Sequence, residues 1–329
     1  TLTEEDLIQL FYYKFTETPL LKRMDAVKDY FIDSWETLKG RNISEDDQEM
    51  LQMKFDKMYT TKDIYTIYNW MLDDCGCDLL PEVPYEKRKL PYEDVFPMLY
   101  LKYRLSGGNS THKNIKHLVI DEMQDYTYLQ YTILESLFHC RMTILGDRAQ
   151  TLDTKQQDVL RFLPKLLGRE IRTIEIKKSY RNTLEIARYA EKVSGVSDLE
   201  LLDRHGKEVV EKTFNTDTEL LDELVCHLKC PGDFETAALI TTTEEEAFDL
   251  SRLLKLRGIN VSYVDRNSSA FKKGLTVTTF YLAKGLEFDQ VFALRGAKEN
   301  PLKNQAEYIC ATRALHELYV YEIADRLSK

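Results

Sequence analysis

Through the first ninety residues the apolar side chains recur three and four positions apart, the spacing of one helix face, and no stretch alternates as a strand would. Thr3 ahead of Glu4, Glu5 and Asp6 supplies a cap and negative charge at a helix start, with Leu7, Leu10, Phe11 and Phe15 following at helical spacing. Ser44, Asp46 and Asp47 open a second segment that carries Met50, Leu51, Met53 and Phe55. A third begins at about Asp63, continues through Tyr65, Ile67, Tyr68 and Met71, and stops at Gly76. Pro81, Pro84 and Pro91 mark a linker. Residues 92–105 then read as another helix, interrupted near Pro97, with a loop at 107–110.

After that loop the pattern changes. Short apolar runs alternate with helical stretches and predict strands at His117–Ile120, 142–145, 173–176, 237–240, 261–264, 276–280, 291–294 and 318–321. Runs apolar on both faces and separated by helices describe a parallel sheet with flanking helices on both sides, an α/β fold preceded by a helical region. In such folds ligands collect at the carboxyl ends of strands, so the polar residues after each strand are where chemistry is expected.

Length favours two domains over one for 329 residues. Hydrophobic residues at 43% and charged residues at 30% exclude disordered and fibrous classes. The net charge is −10, which argues against indiscriminate polyanion binding while leaving room for a local basic groove. No stretch approaches the roughly 18 apolar residues of a membrane span, and no leader-like pattern opens the chain, so a cytoplasmic protein is expected. The six cysteines form no disulfide framework. Cys75-Gly76-Cys77, and Cys226 and Cys230 around His227, lack a second ligand pair for zinc and read as ordinary thiols.

Five segments carry candidate chemistry. The strand His117–Ile120 delivers Asp121 and Glu122 within Asp-Glu-Met-Gln-Asp, the geometry for a magnesium ligand beside a base that activates water; a solvated acidic turn is the bland alternative. The next strand runs into Gly146-Asp147-Arg148-Ala149-Gln150, where Gln150 is placed to sense a terminal phosphate or orient water, although strand-Gly-Asp is also a common turn. Ser179-Tyr180-Arg181 ends the third strand, and Arg181 is either a phosphate-facing arginine or part of a basic surface turn. Near the C-terminus stand Thr278-Thr279 through Ala283-Lys284-Gly285-Leu286-Glu287-Phe288-Asp289, and Thr312-Arg313-Ala314 at a helix end. Gly285 permits close backbone approach, Glu287 can take a ribose hydroxyl, and Arg313 supplies a second guanidinium.

In this order the five segments resemble the superfamily 1 helicases of the UvrD/Rep class, over roughly residues 115–325. The resemblance implies RecA-like (P-loop NTPase type) parallel sheets, with residues 92–168 as the C-terminal half of a first RecA-like domain, 169–329 as a complete second one, and 1–91 as helical inserted material. It implies ATP and Mg2+ as cofactors. Asp121 would bind the metal and Glu122 activate water, while Gln150, Arg181 and Arg313 would face the γ-phosphate and Gly285 and Glu287 the sugar. Residues 92–102 are similar to the equivalent segment of the HelD proteins, helicase-like ATPases that associate with bacterial RNA polymerase, which implies DNA, RNA polymerase or both as partners.

Absences and departures refine this expectation. A P-loop needs G-x₄-G-K-[ST], and the only Gly-Lys pair, Gly206-Lys207, is followed by Glu208 and has Leu201 at the first glycine's place. Because the sequence opens at Thr1, the expected arrangement is a C-terminal portion whose P-loop lies upstream, inactive toward ATP by itself. The large insertion that DNA-unwinding members carry before Ala283-Lys284-Gly285 is missing, as it is in HelD. Tyr281 stands for the family's histidine, Ser179 for its asparagine, and Asp153-Thr154-Lys155 for its aromatic-arginine pair. These departures favour a protein-remodelling ATPase over a DNA translocase; a non-hydrolysing interaction domain that binds RNA polymerase or DNA is the remaining alternative.

Overall fold

The computed structural model describes residues 3–108, 114–151, 159–168, 171–195, 200–229, 234–268, 273–296 and 301–324. Cys230 and residues 153–155 lie outside them. Contacts divide the chain into two units. One comprises Thr1–Ile120, Tyr126–Ile144 and Val159–Arg169; the other comprises Asp121–Asp125, Leu145–Asp158 and Glu170–Lys329.

The first unit opens with α1 (Glu4–Gln9), whose expected cap is a full capping box between Thr3 and Asp6. It continues through a π-turn into α2 (Leu20–Lys39), α3 (Glu45–Asp56) and α4 (Ile64–Asp74). Asn69 fastens the linker after α4 by bonding both the N–H and the carbonyl of Leu80. The helix α5 (Tyr92–Ser106) runs straight through Pro97, contrary to the expected interruption. One lost helical bond costs about 3 kcal/mol or more; against that, Met98 and Leu101 on the following turn pack onto Tyr65, Tyr68, Leu72 and Leu80.

Two parallel strands follow, β1 (His117–Ile120) and β2 (Arg141–Ile144), in register with His117 opposite Arg141. The helices α6 (Tyr128–Leu137) and α7 (Val159–Leu167) cover one face, burying Ile120, Tyr131, Phe162 and Leu163.

In the second unit the expected strand at 173–176 does not form. Only β3 (Lys178–Ser179) pairs, with β4 (Glu200–Leu201), and Ile174 and Ile176 stay exposed. Alternation announces an extended backbone, but a strand also needs an edge to pair with, and sequence is silent about that edge. The helix α8 (Leu184–Ser194) leads on to β5 (Val210–Phe214), α9 (Asp217–Lys229), β6 (Thr236–Thr241), α10 (Glu244–Leu256), β7 (Ser262–Tyr263), β8 (Gly274–Thr279), β9 (Phe288–Leu294), α11 (Lys303–Arg313) and β10 (Ala314–Ile323).

The six strands β5 to β10 make one parallel sheet ordered β5-β10-β9-β6-β8-β7, so the expected α/β architecture is present. Alternate side chains serve opposite faces. Ala238, Ile240, Val291, Ala293, Leu318 and Val320 meet α8 and α11, whereas Leu239, Phe292, Tyr319 and Tyr321 meet α9 and α10. The edge strand β5 went unanticipated because Glu211, Lys212 and Thr213 are exposed there and interrupt the apolar signal.

Among the described residues, no helix is long and apolar enough to cross a membrane. Cys75, Cys77 and Cys226 are exposed, while burial pushes the Cys310 thiol up to about 12.

Two outcomes are expected. Phe292→Ala should cost about 3–5 kcal/mol in urea unfolding, whereas Leu38→Ala, at a side chain 84% exposed, should stay within about 0.5 kcal/mol. Iodoacetamide at pH 8 should alkylate Cys75, Cys77 and Cys226 in the native protein and spare Cys310, as read by peptide mass mapping.

Candidate functional site

The acidic loop Asp121–Asp125 and the loop that follows β2 are fitted to each other atom by atom. Met123 N–H donates to the Leu145 carbonyl at 2.8 Å. Gly146 has no room for a side chain, since a Cβ there would lie 2.7 Å from the Met123 nitrogen. Gln124, 2% exposed, holds both loops: its amide NH₂ donates to the Glu122 carboxylate, and its oxygen accepts the Asp147 N–H at 3.0 Å. Asp121 Oδ1 accepts the Glu122 N–H at 2.8 Å, and among the described residues its second oxygen has no hydrogen-bond partner.

Glu122 itself has φ +52°, the one positive value at a non-glycine among the described residues. A left-handed backbone costs an L-residue about 1–2 kcal/mol, and strain of this kind concentrates where geometry serves chemistry.

Asp147 is held by three hydrogen bonds. Its Oδ2 accepts the Tyr308 hydroxyl at 2.7 Å and the Gln150 amide at 3.0 Å, and its Oδ1 accepts the Ala149 N–H at 3.0 Å. Burial, then Asp147, raises the Tyr308 phenol well above its ordinary range, so it remains a donor. Gln150 in turn accepts from Arg313 Nη2 at 3.4 Å, and Arg313 Nη1 reaches the Leu286 carbonyl at the same distance.

Arg313 is 2% exposed, and among the described residues no carboxylate makes an ion pair with it. Burial, followed by the neighbouring charge of Arg181, pulls its guanidinium below the ordinary arginine range, with Glu122, Glu287 and Asp147 pulling the other way. A buried guanidinium held only by neutral groups at the limit of hydrogen bonding is poorly compensated.

Arg181 lies nearby and pairs with Glu287 at 2.8 Å, both side chains about half exposed. Asn182 pins this segment by donating to the carbonyls of Ala311 and Ala314, at 3.2 and 2.6 Å. Together these groups enclose an open cleft of ≈ 570 Å³ lined by Asp147, Gln150, Tyr180, Arg181, Glu287 and Thr312 among others. That volume suits a nucleotide-sized ligand.

Of the residues expected from sequence, Gln150, Arg181 and Glu287 line the cleft and Arg313 is bonded behind Gln150. Asp121 and Glu122 stand on the adjoining loop held by Gln124, outside the cleft lining. Gly285 has φ +78°, and no protein atom comes within 4 Å of where its Cβ would stand, so the turn is what requires glycine there.

The placement rule needs correcting in one half of the site. Asp121, Glu122, Asp147 and Gln150 do follow the carboxyl ends of β1 and β2. Glu287 and Arg313 instead immediately precede β9 and β10, at the amino ends of those strands. The eight-residue crossover 280–287 and the helix α11 return the chain to that edge of the sheet.

Four participants stand in the expected segments but had no role assigned from sequence: Gln124, Asn182, Lys284 and Tyr308. Their signal was a polar residue within or beside an apolar stretch, which by itself does not separate a core hydrogen bond from a site.

No protein-family model matches the sequence, and no curated protein matches it. Among solved structures the chain is similar to the C-terminal domain of a possible DNA helicase from Lactobacillus plantarum WCFS1, with 26% identity, 44% of this chain and 88% of that one covered, and a TM-score of 0.37. It is also similar to the PRRSV helicase, with 16% identity, 78% of this chain and 45% of that one covered, and a TM-score of 0.38.

Among the described residues no group of three or more His, Cys, Asp or Glu side chains is placed to hold a metal ion. A magnesium ion at Asp121 would therefore draw its remaining ligands from phosphate and water, as this ion commonly does.

The strain at Glu122 is measurable. Glu122→Gly and Glu122→Ala both remove the carboxylate, but only glycine relieves the backbone. The Gly variant should unfold about 1 kcal/mol later than the Ala variant in urea, reversing the usual order of the two residues.

Proposed function

We propose that this chain is part of an ATP-driven motor of the UvrD/Rep superfamily 1 helicase kind, closest in character to the HelD ATPases. One observation carries the reading. Segments from four separate parts of the sequence bring Asp147, Gln150, Arg181, Glu287 and Thr312 around one cleft, with Arg313 buried beside Gln150 and, among the described residues, without a carboxylate ion pair. A polyphosphate is the ligand whose charge such a guanidinium lacks.

The donor set fits a nucleotide with its magnesium. Asp121 offers an unused carboxylate oxygen to the metal. In this reading Glu122 takes a proton from water, Gln150 orients that water, and Arg181 and Arg313 face the terminal phosphate. Glu287, released from Arg181 when phosphate takes that guanidinium, would turn to the sugar side next to Gly285. ATP supplies the phosphoanhydride bond and magnesium neutralises its charge; these side chains hold and orient.

Within this reading, residues 92–168 belong to a first RecA-like domain, 169–329 form a second, and 1–91 are helical inserted material. Acidic residues outnumber basic ones in that helical region, and the net charge of the chain is −10, which favours a protein partner such as RNA polymerase over a DNA track. The P-loop is absent from these 329 residues. The competing reading is a non-hydrolysing interaction domain for RNA polymerase or DNA.

Hydrolysis separates the readings. In a polypeptide that also carries the P-loop, Glu122→Gln should lower kcat about 10²–10⁴-fold while magnesium-ATP binding is retained. RNA polymerase should stimulate turnover more than single-stranded DNA does. The 329 residues alone should show no turnover, and steady hydrolysis by them, lost in Glu122→Gln, would overturn the assignment of a separate P-loop.

A further inference from the structure

Lys284 has no role in the reading above, yet it is among the most confined cations of the second unit, with a side chain 8% exposed. Its ammonium lies 2.6 and 2.8 Å from the two oxygens of Asp125 and 3.8 Å from Glu122. The backbone that presents it is fixed on both sides. Ala283 is fully buried in the core beneath α8 and α11, and Gly285 makes the left-handed turn that follows.

The loop it reaches carries three carboxylates within five residues, Asp121, Glu122 and Asp125. Such a loop is self-repelling, and here it must also keep Glu122 at φ +52°. Gln124 steadies the Glu122 side chain from within the loop. Lys284 is the one cation with a described ion pair to it.

We propose that Lys284 is the positioning residue of Glu122: through its bidentate grip on Asp125 it fixes the acidic loop in the strained conformation that aims the Glu122 carboxylate. This rests on the reading of Glu122 as the water-activating base. Because Lys284 stands three residues before Glu287, the same short crossover also carries the carboxylate that pairs with Arg181 in the cleft wall. Occupation of the cleft is thereby linked to the aim of the base by three residues of backbone.

The test has two arms. In the 329-residue chain, amide exchange of residues 121–126 should accelerate roughly tenfold in Lys284→Met and return toward the parent rate in Lys284→Arg, with exchange in β6 and β9 unchanged. In a polypeptide that hydrolyses ATP, Lys284→Met should lower kcat about 10–100-fold with little change in KM. Adding Lys284→Met to Glu122→Gln should cause no further loss, because a residue that acts through Glu122 has nothing left to position.

Unchanged exchange in Lys284→Met would overturn the proposal, as would independent, multiplicative losses in the double variant. Absence of hydrolysis in every protein, the unsubstituted one included, would count against the functional reading alone, and the exchange arm would still decide the role of Lys284.

Discussion

A charged group taken out of water must find its compensation within the protein or from a ligand. Arg313 finds little in the protein. It ends α11, is covered by the core that α8 and α11 make against the sheet, and among the described residues its guanidinium bonds the Gln150 amide, the Leu286 carbonyl and the neighbouring Thr312 hydroxyl. The surroundings keep those neutral partners in place. Asp147 holds Gln150, Tyr308 holds Asp147, and Asn182 ties the Arg181 segment to the carbonyls at the end of α11. The site is thus a set of hydrogen bonds that orders polar groups around an under-compensated cation and leaves the adjoining cleft open to an anion.

The sheet explains how distant segments arrive there. Its alternation buries Ala238, Ile240, Val291, Ala293, Leu318 and Val320 against α8 and α11 on one face and Leu239, Phe292, Tyr319 and Tyr321 against α9 and α10 on the other, so the six strands have little freedom to slip. With register settled, the residues just before β9 and β10 fall side by side, because the two strands pair with Ala314 opposite Phe288. Glu287 and Arg313 are neighbours for that reason, although twenty-six positions separate them along the chain.

Much of this was legible in advance. The capping box at Thr3, the helix starts at Ser44 and Asp63, the strands before Asp121 and Asp147, and the central strands β6, β8 and β9 follow from local spacing and cap chemistry. Gln150, Arg181, Glu287 and Arg313 were identifiable from their motifs. What escaped depends on partners far away in sequence. Residues 173–176 alternate correctly but find no edge to pair with; β5 is polar because it is an edge; and Pro97 is tolerated where Met98 and Leu101 after it pack onto Tyr65, Tyr68, Leu72 and Leu80. Gln124, Lys284 and Tyr308 look like ordinary polar residues until the opposing loop is in place.

The crossover 280–287 has one further consequence. It leaves β8, passes the intervening strand β6 and begins β9 from the opposite end of the sheet, a climb of roughly 20 Å along the strand direction. Eight residues cover that climb without a full helix, in contrast to the dozen or more residues usual between parallel strands. Phe280 and Ala283 are sunk in the core along the way. A crossover this short, coiled through hydrogen-bonded turns at Ala283 and Leu286 with Gly285 in the left-handed region, tolerates changes of side chain better than changes of length. One residue added or removed would rotate Lys284 and Glu287 away from their partners together, so variation in this protein's relatives should appear here as substitution and never as insertion or deletion.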